Sequence, residues 1–79
     1  MAVDHDGTSY ELWDIESANL LAAYPTEEAA LAFVRQVIIE DGPAMVATWE
    51  LARARSDQDT VSIAVGDQLE VLAQQRRSA

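Results

Sequence analysis

The sequence predicts an α+β domain in which an antiparallel four-stranded sheet, made of two hairpins, carries one main helix and a short C-terminal helix. Three features predict this class: two pairs of apolar segments around turn sequences, a long amphipathic segment between the pairs, and a short striped segment after the second pair. Hairpins that flank one main helix indicate that the helix packs on one face of the sheet. The expected order of elements is therefore β-β-α-β-β-α.

The length and composition fit one small domain. The chain has 79 residues, of which 49% are hydrophobic, and this fraction is too high for a disordered chain. We assign residues 1–9 to a flexible N-terminal tail, residues 10–76 to the domain and residues 77–79 to a C-terminal tail. Cysteine is absent, which excludes disulfides and thiolate metal sites.

Residues 10–16 and 20–24 predict the first hairpin. The first segment is rich in β-forming residues, and residues 17–19 form a short turn in which Asn19 is able to adopt the left-handed conformation. Alternation gives the first strand two apolar faces, with Tyr10 and Leu12 on one side and Trp13 and Ile15 on the other.

Residues 27–41 predict the main helix. Thr26 is a suitable N-cap, the first turn carries two glutamates, and Gly42 followed by Pro43 ends the helix. The 3.6-residue period places on one apolar face Ala30, Phe33, Val34, Val37 and Ile38, with Leu31 at its edge. Ile39 points away from that face.

Residues 48–55 and 60–65 predict the second hairpin. The pattern of residues 48–55 alone fits a strand or a helix, and the polar turn sequence that follows favours the strand. The second segment alternates, so one side of its strand is expected to carry Val61, Ile63 and Val65.

Residues 67–76 predict a short terminal helix. Gly66 interrupts the preceding strand, and Asp67 with Glu70 three residues later resembles a capping box, which marks the start of the helix. The apolar stripe of this helix is expected to consist of Leu69, Leu72 and Ala73.

The sequence contains no catalytic, cofactor or nucleotide-binding motif. His5 is the single histidine, and its place in the tail argues against a nucleophile activated by histidine. Asp4, His5 and Asp6 are possible metal ligands, but a tail offers them no preformed geometry, and we interpret them as a solvated polar segment. We therefore predict a non-enzymatic protein with no cofactor and no metal.

The net charge of −9, from fourteen acidic and five basic residues, bears on the choice of partner. It repels nucleic acid and anionic lipid, and it attracts basic proteins. The alternative is a small-ligand or nucleic-acid site on the sheet face near Trp49, Arg53 and Arg55, since arginine beside an aromatic residue is typical of nucleic-acid platforms. The charge favours a basic protein partner over this alternative.

Apolar side chains on both sides of the first hairpin predict an interaction surface. The main helix covers one face of the sheet, so the other face meets the terminal helix, another subunit or a ligand. The residues that we expect at such an interface are Trp13, Tyr24, Ile39 and Trp49. On this basis we predict a homodimer.

The sequence also predicts a cytoplasmic protein that does not cross a membrane. No apolar run approaches the roughly 20 residues that a membrane span needs. The N-terminus lacks the basic and apolar regions of a signal peptide.

The runs YELWDIESANLLAAY, TEEAALAFVR, GP, WELARA and IAVGDQLEVLA resemble small bacterial ββαββα domains of unknown function, over residues 10–73. This resemblance implies the order of elements and no activity. The hairpin that leads to T-x-E-A and a helix is also similar to HicB-type antitoxins, although the chain departs from them in showing no appended DNA-binding segment. The second resemblance implies an antitoxin-like or regulatory accessory role.

Overall fold

The computed structural model describes residues 7–56 and 58–75, which form one four-stranded antiparallel sheet and two α-helices. The strands are β1 (Thr8–Asp14), β2 (Asn19–Tyr24), β3 (Trp49–Arg55) and β4 (Gln58–Val65). The helices are α1 (Glu27–Asp41) and α2 (Asp67–Gln75), and a 3₁₀ turn lies at Pro43–Val46. The α+β class and the order β-β-α-β-β-α are therefore confirmed.

The strands lie in the order β2-β1-β3-β4, so the two hairpins meet through their first strands. β1 pairs antiparallel with β3 along its whole length, and Leu12 lies directly opposite Leu51. This pairing places β1 and β3 in the centre of the sheet and leaves β2 and β4 as its edges. The pairing of β1 with β3 joins segments that are far apart in sequence, so neither hairpin turn determines it.

Both helices pack on the same face of the sheet, which we call the helix-covered face. Leu12 and Leu51 of the central strands lie in one buried cluster with residues of both helices and of the 3₁₀ turn. This core consists of Leu12, Ala30, Leu31, Val34, Val46, Leu51, Ala64, Leu69 and Ala73. The terminal helix thus adds to the layer that the main helix already forms.

The opposite side of the sheet is the open face, which carries the residues that alternate with the core. Its central members are Glu11, Trp13, Glu50, Ala52 and Ser62. Within residues 7–56 and 58–75 no helix or strand packs on this face, because both helices contribute to the cluster on the other side. Among the described elements, both helices therefore leave the open face of the sheet uncovered.

The first hairpin starts earlier and turns differently than the sequence predicts. β1 begins at Thr8 rather than Tyr10, because Thr8 and Ser9 pair with residues of β3, so the predicted tail is wrong at these two positions. The turn occupies residues 15–18, and Ala18, not Asn19, takes the left-handed conformation (φ 59°). The Asp14 carboxylate stabilises this earlier turn by accepting hydrogen bonds from within it.

Helix α1 has the predicted bounds, and its cap is confirmed. The Thr26 hydroxyl oxygen accepts a hydrogen bond from the Ala29 amide at 3.1 Å, and the Gly42 amide donates to the Ile38 carbonyl at 2.9 Å. The buried stripe is rotated, however, since Leu31 is fully buried while Phe33 is 38% exposed. The cause is α2, which lies against the flank of α1 that carries Leu31.

The second hairpin is a pair of strands, so the ambiguity over residues 48–55 is settled in favour of the strand. The prediction that Val61, Ile63 and Val65 share one side is wrong. A bulge between β3 and β4 shifts the register, and Ala64 lies opposite Leu51 in the core while Val65 lies opposite Glu50 on the open face.

Helix α2 covers the predicted stripe, and Leu69 and Ala73 are buried. Asp67 is the first residue of the helix rather than the residue before it, so the predicted capping box is wrong. The amide of Glu70 donates its hydrogen bond to the Gly66 carbonyl at 3.0 Å. The predicted tail with Asp4, His5 and Asp6, and the tail at 77–79, lie outside the described residues. Neither α1 nor α2 is long and apolar enough to cross a membrane.

Candidate functional site

The open face is assembled from three strands whose outward side chains lie side by side. Trp13 of β1 is directly opposite Glu50 of β3. Glu11 is opposite Ala52, and Ala52 is in turn opposite Ser62 of β4. Residues directly opposite each other have Cβ atoms about 5 Å apart, so these five side chains form one contiguous surface.

The indole of Trp13 is held along its own strand. Its Nε1–H donates a hydrogen bond to Oε1 of Glu11 at 3.0 Å, and both residues are half-buried. The two side chains stand two residues apart, and the two-residue period of a strand places them on the same face. The hydrogen bond uses the polar edge of the ring, so the apolar faces of the indole are what remains for packing.

A concavity of about 460 Å³ lies on the open face. It is lined by Glu11, Trp13, Asp14, Ile15, Ala18, Glu50, Ala52, Thr60 and Ser62. The small side chain of Ala52 lies between Glu11 and Ser62 and is 2% exposed, although no described helix covers it. The neighbouring side chains on the strands therefore form walls around an alanine floor.

The lining of this concavity is acidic. Its described residues include the carboxylates of Glu11, Asp14 and Glu50, and none of them is an arginine, lysine or histidine. The arginines of the described residues lie elsewhere: Arg35 donates to the Ala73 carbonyl at 3.2 Å on the helix layer, and Arg53 and Arg55 belong to the helix-covered face. The open face thus concentrates negative charge without a compensating base from its own lining.

Asp14 stands at the rim, where the hairpin turn meets the loop before β3. It accepts hydrogen bonds from the Ser17 hydroxyl at 3.0 Å, from the Thr48 hydroxyl at 3.1 Å and from the Glu16 amide at 3.2 Å. The Ser17 hydrogen bond is the largest cause of a lowered pKa for Asp14, and the Thr48 and Glu16 bonds act in the same direction. The rim carboxylate is therefore ionised at neutral pH.

The four predicted interface residues do not share one surface. Trp13 lies on the open face, whereas Tyr24 and Trp49 pack against the core on the helix-covered side. There they flank Phe33, with ring centroids 6.0 Å apart for Tyr24 and 6.1 Å apart for the stacked Trp49. Ile39 is 76% exposed on the outer side of α1. Of the four, only Trp13 lines the concavity.

Arg53 and Arg55 do share one face, as their two-residue spacing predicts, and Trp49 lies on that face as well. It is the face that the helices cover. Both guanidinium stems are partly buried, and the Nε atoms of the two arginines are shielded from solvent. These arginines are therefore not part of the open face.

Four lining residues are not among the site residues predicted from the sequence, namely Glu11, Glu50, Thr60 and Ser62. The signal for Glu11 is present in the sequence, because it alternates with Trp13 in a strand pattern. Glu50 and the two hydroxyl residues reach the site through the pairing of β1 with β3 and of β3 with β4. The pairing of residues between these strands cannot be predicted from a pattern within one segment of the sequence.

The described residues were also compared with the requirements of a metal site, and the chain with known proteins. Within the part of the chain that the structure describes, no three histidine, aspartate or glutamate side chains are grouped to hold a metal ion. Comparison with protein-family models, with curated proteins and with solved structures finds no match. The resemblances to small bacterial domains and to HicB-type antitoxins therefore stay predictions.

Proposed function

We propose that this chain is a non-enzymatic protein-interaction module that binds a partner through its open face. One observation carries the proposal: the face carries a half-buried tryptophan at an open concavity, and no described element covers it. Aromatic residues are enriched in the cores of protein interfaces, where they supply much of the binding free energy.

The energetics of Trp13 support an interaction role. A tryptophan buries about 150–250 Å² when it is fully covered, and apolar burial is favourable by about 25 cal/mol per Å². Trp13 is covered only in part by its own chain, so further burial against a partner stabilises the complex. The indole stands on a paired strand of the sheet, so the backbone beneath it is already ordered and less entropy is lost on binding.

An accessory role of a regulatory or antitoxin-like kind, in the cytoplasm, belongs to this proposal. The predicted homodimer is part of it only if the copies meet elsewhere than on the open face. Two copies joined through that face by a two-fold axis would bury the same acidic patch from both sides, and like charges in an interface cost binding free energy. Mass measurement in solution over a range of concentrations tests the dimer separately.

The experiment for the proposed function is co-purification from native lysate after nuclease treatment, with three forms of the protein. Wild type and the Ile39→Ser variant, which alters an exposed apolar residue on α1, are expected to retain the same stoichiometric protein. The Trp13→Ala variant is expected to lose it. Circular dichroism melting of each form establishes that the variants are folded.

Retention of the partner by Trp13→Ala, or its loss from Ile39→Ser as well, would contradict the assignment of the open face. Recovery of the bare chain from all three forms would contradict the proposed function itself. A partner that disappears on nuclease treatment would favour the alternative of a nucleic-acid site.

That alternative uses Arg53 and Arg55, and the observation that favours it is that the two guanidinium groups project from one face near Trp49. Its weakness is that the Trp49 ring already stacks on Phe33, which occupies a ring face that a base would need. Retention on heparin at low salt, lost in the Arg53→Ala, Arg55→Ala double variant, would support it.

A further inference from the structure

The charges around Trp13 indicate what kind of partner the open face takes. We infer that it binds a cationic segment of another protein, with an arginine or lysine side chain lying against the Trp13 indole between Glu11 and Glu50. This inference rests on the proposed function, because it takes the open face as an interaction surface and adds the chemistry of the partner.

Two carboxylates flank the indole from different directions. Glu11 precedes Trp13 by two residues on β1, and Glu50 lies directly opposite Trp13 on β3. A cation placed on the ring therefore meets negative charge along the strand and across it. Cations are also attracted to the face of an indole ring within about 6 Å of its centre, and tryptophan is the strongest aromatic partner for them.

The hydrogen bond between Trp13 and Glu11 prepares this arrangement. It fixes the indole by its Nε1–H, at 3.0 Å from Oε1 of Glu11, and so holds the ring in place beside the carboxylate. A carboxylate has two oxygens and room for several hydrogen bonds, so Glu11 is able to accept from a guanidinium or ammonium group as well as from the indole. The site is thus ordered before the partner arrives.

The remainder of the concavity suits the same ligand. The Ala52 floor leaves space for the stem of a long side chain, and the hydroxyl groups of Thr60 and Ser62 are hydrogen-bond acceptors on the far wall. None of the described lining residues is basic, so an anionic ligand would meet repulsion from the three carboxylates. A second copy that docked through its own open face would present the same acids, whereas a basic partner is complementary to them.

The test uses a capped pentapeptide in which arginine alternates with glycine, and the same peptide with glutamate in place of arginine. Alternate residues of an extended peptide project to one side, as the residues of the open face do. Trp49→Phe serves as the background, so that fluorescence and the indole Nε1–H resonance report Trp13 alone. Titration at low salt is expected to show saturable binding of the arginine peptide only, weakening as salt is raised.

Two double variants of equal charge change locate the site. Glu11→Gln with Glu50→Gln keeps shape and keeps an acceptor for the indole, and it is expected to weaken peptide binding about tenfold. Glu40→Gln with Asp41→Asn removes the same charge from the end of α1, away from the open face, and is expected to change the affinity by less than about twofold.

Absence of saturable binding to the arginine peptide would overturn the inference, and so would equal weakening by the two double variants. The proposed function is judged separately by the Trp13→Ala co-purification. If that variant loses a partner while the arginine peptide fails to bind, the open face is an interaction surface for a partner that is not cationic. If both experiments fail, the proposed function falls as well.

Discussion

The two faces of the sheet are built from the same strands and have opposite characters. On the helix-covered face, Leu12, Leu51 and Ala64 are almost completely buried beneath the helices. On the open face, the residues next to them in sequence are Trp13, Glu50 and Val65, which are half-buried or exposed. The side chains of neighbouring residues in a strand point to opposite faces, so a single step along the chain separates the core from the surface.

Along the central strands, residues of the buried core therefore alternate with residues that the described helices leave uncovered. The buried core of the helix-covered face consists of aliphatic side chains that exclude water, as a small domain with a thin stability margin requires. The open face combines an aromatic ring with carboxylates and hydroxyls. Under the proposed function, these side chains contribute little to folding and serve to bind a partner. Substitutions of sequence neighbours therefore test the separation directly.

The largest expected effect comes from comparing Leu12→Ala with Trp13→Ala. Leu12→Ala should lower the free energy of unfolding by about 2–5 kcal/mol, because it opens a cavity under both helices. Trp13→Ala should lower it by about 1 kcal/mol or less, since the indole is only partly buried. Urea unfolding measures both values. Equal losses would show that the open face belongs to the folding core.

A second comparison enlarges an alanine on each face. Ala64→Leu should destabilise the fold by about 1–3 kcal/mol, because Ala64 lies opposite Leu51 under the helices and has no space to expand. Ala52→Leu should cost less, about 1 kcal/mol or below, because the concavity above Ala52 has room for a larger side chain although the alanine itself is buried. Thermal melting checks both. A large loss for Ala52→Leu would mean that this face is covered in solution.

A third comparison removes one threonine hydroxyl from the helix layer and one from the open face. Thr26→Ala should cost about 1 kcal/mol, because the Ala29 amide loses its cap. Thr60→Ala should be neutral within about 0.5 kcal/mol for folding, because Thr60 is an exposed wall of the concavity. Chemical denaturation of both variants provides the measurement, and a neutral Thr26→Ala would contradict the cap.

The smallest expected effect is the pH dependence that Asp14 brings to the rim of the open face. A carboxylate whose pKa is lowered by folding stabilises the native state above its unfolded pKa, and this stabilisation is lost as pH falls through the folded value. Asp14→Asn should therefore melt at a lower temperature than wild type at neutral pH, and the two melting temperatures should converge as pH falls below the ordinary aspartate value of 3.8.

The Thr48→Val variant is the control for that prediction, because it removes one hydrogen-bond donor and keeps the carboxylate. Its Asp14 pKa, followed by NMR, should rise toward the ordinary value and reduce the acid-dependent loss of stability. An unchanged Asp14 titration in Thr48→Val would show that the bond across the rim is not formed in solution.

Local patterns predicted the elements of this fold because they depend on neighbours in sequence. The cap, apolar stripe and end of α1 lie within one continuous segment, and its bounds from Glu27 to Asp41 are as predicted. The wrong predictions concern which side chains are buried, because burial depends on segments that are distant in sequence. α2 rotates the buried face of α1 toward Leu31, and the bulge opposite β3 brings Ala64 into the core in place of Val65.

The candidate site divides in the same way. Trp13 could be predicted as an interface residue because the strand pattern places it on the opposite face from Leu12, and both faces of this strand carry apolar residues. Trp49 could not be excluded from such a surface, because its stacking on Phe33 depends on how α1 lies over β3. The lining acid Glu50 became recognisable only once its cross-strand partner was known.

The sequence by itself determined the class of fold, the order of its elements and the net negative charge, since each depends on composition or on periodicity within short segments. Only the tertiary structure decided that β1 pairs with β3 and that both helices lie on one face. Those choices follow from which arrangement buries the most apolar surface across the whole chain. They leave Trp13 and the acids beside it on a face of the sheet that neither described helix covers.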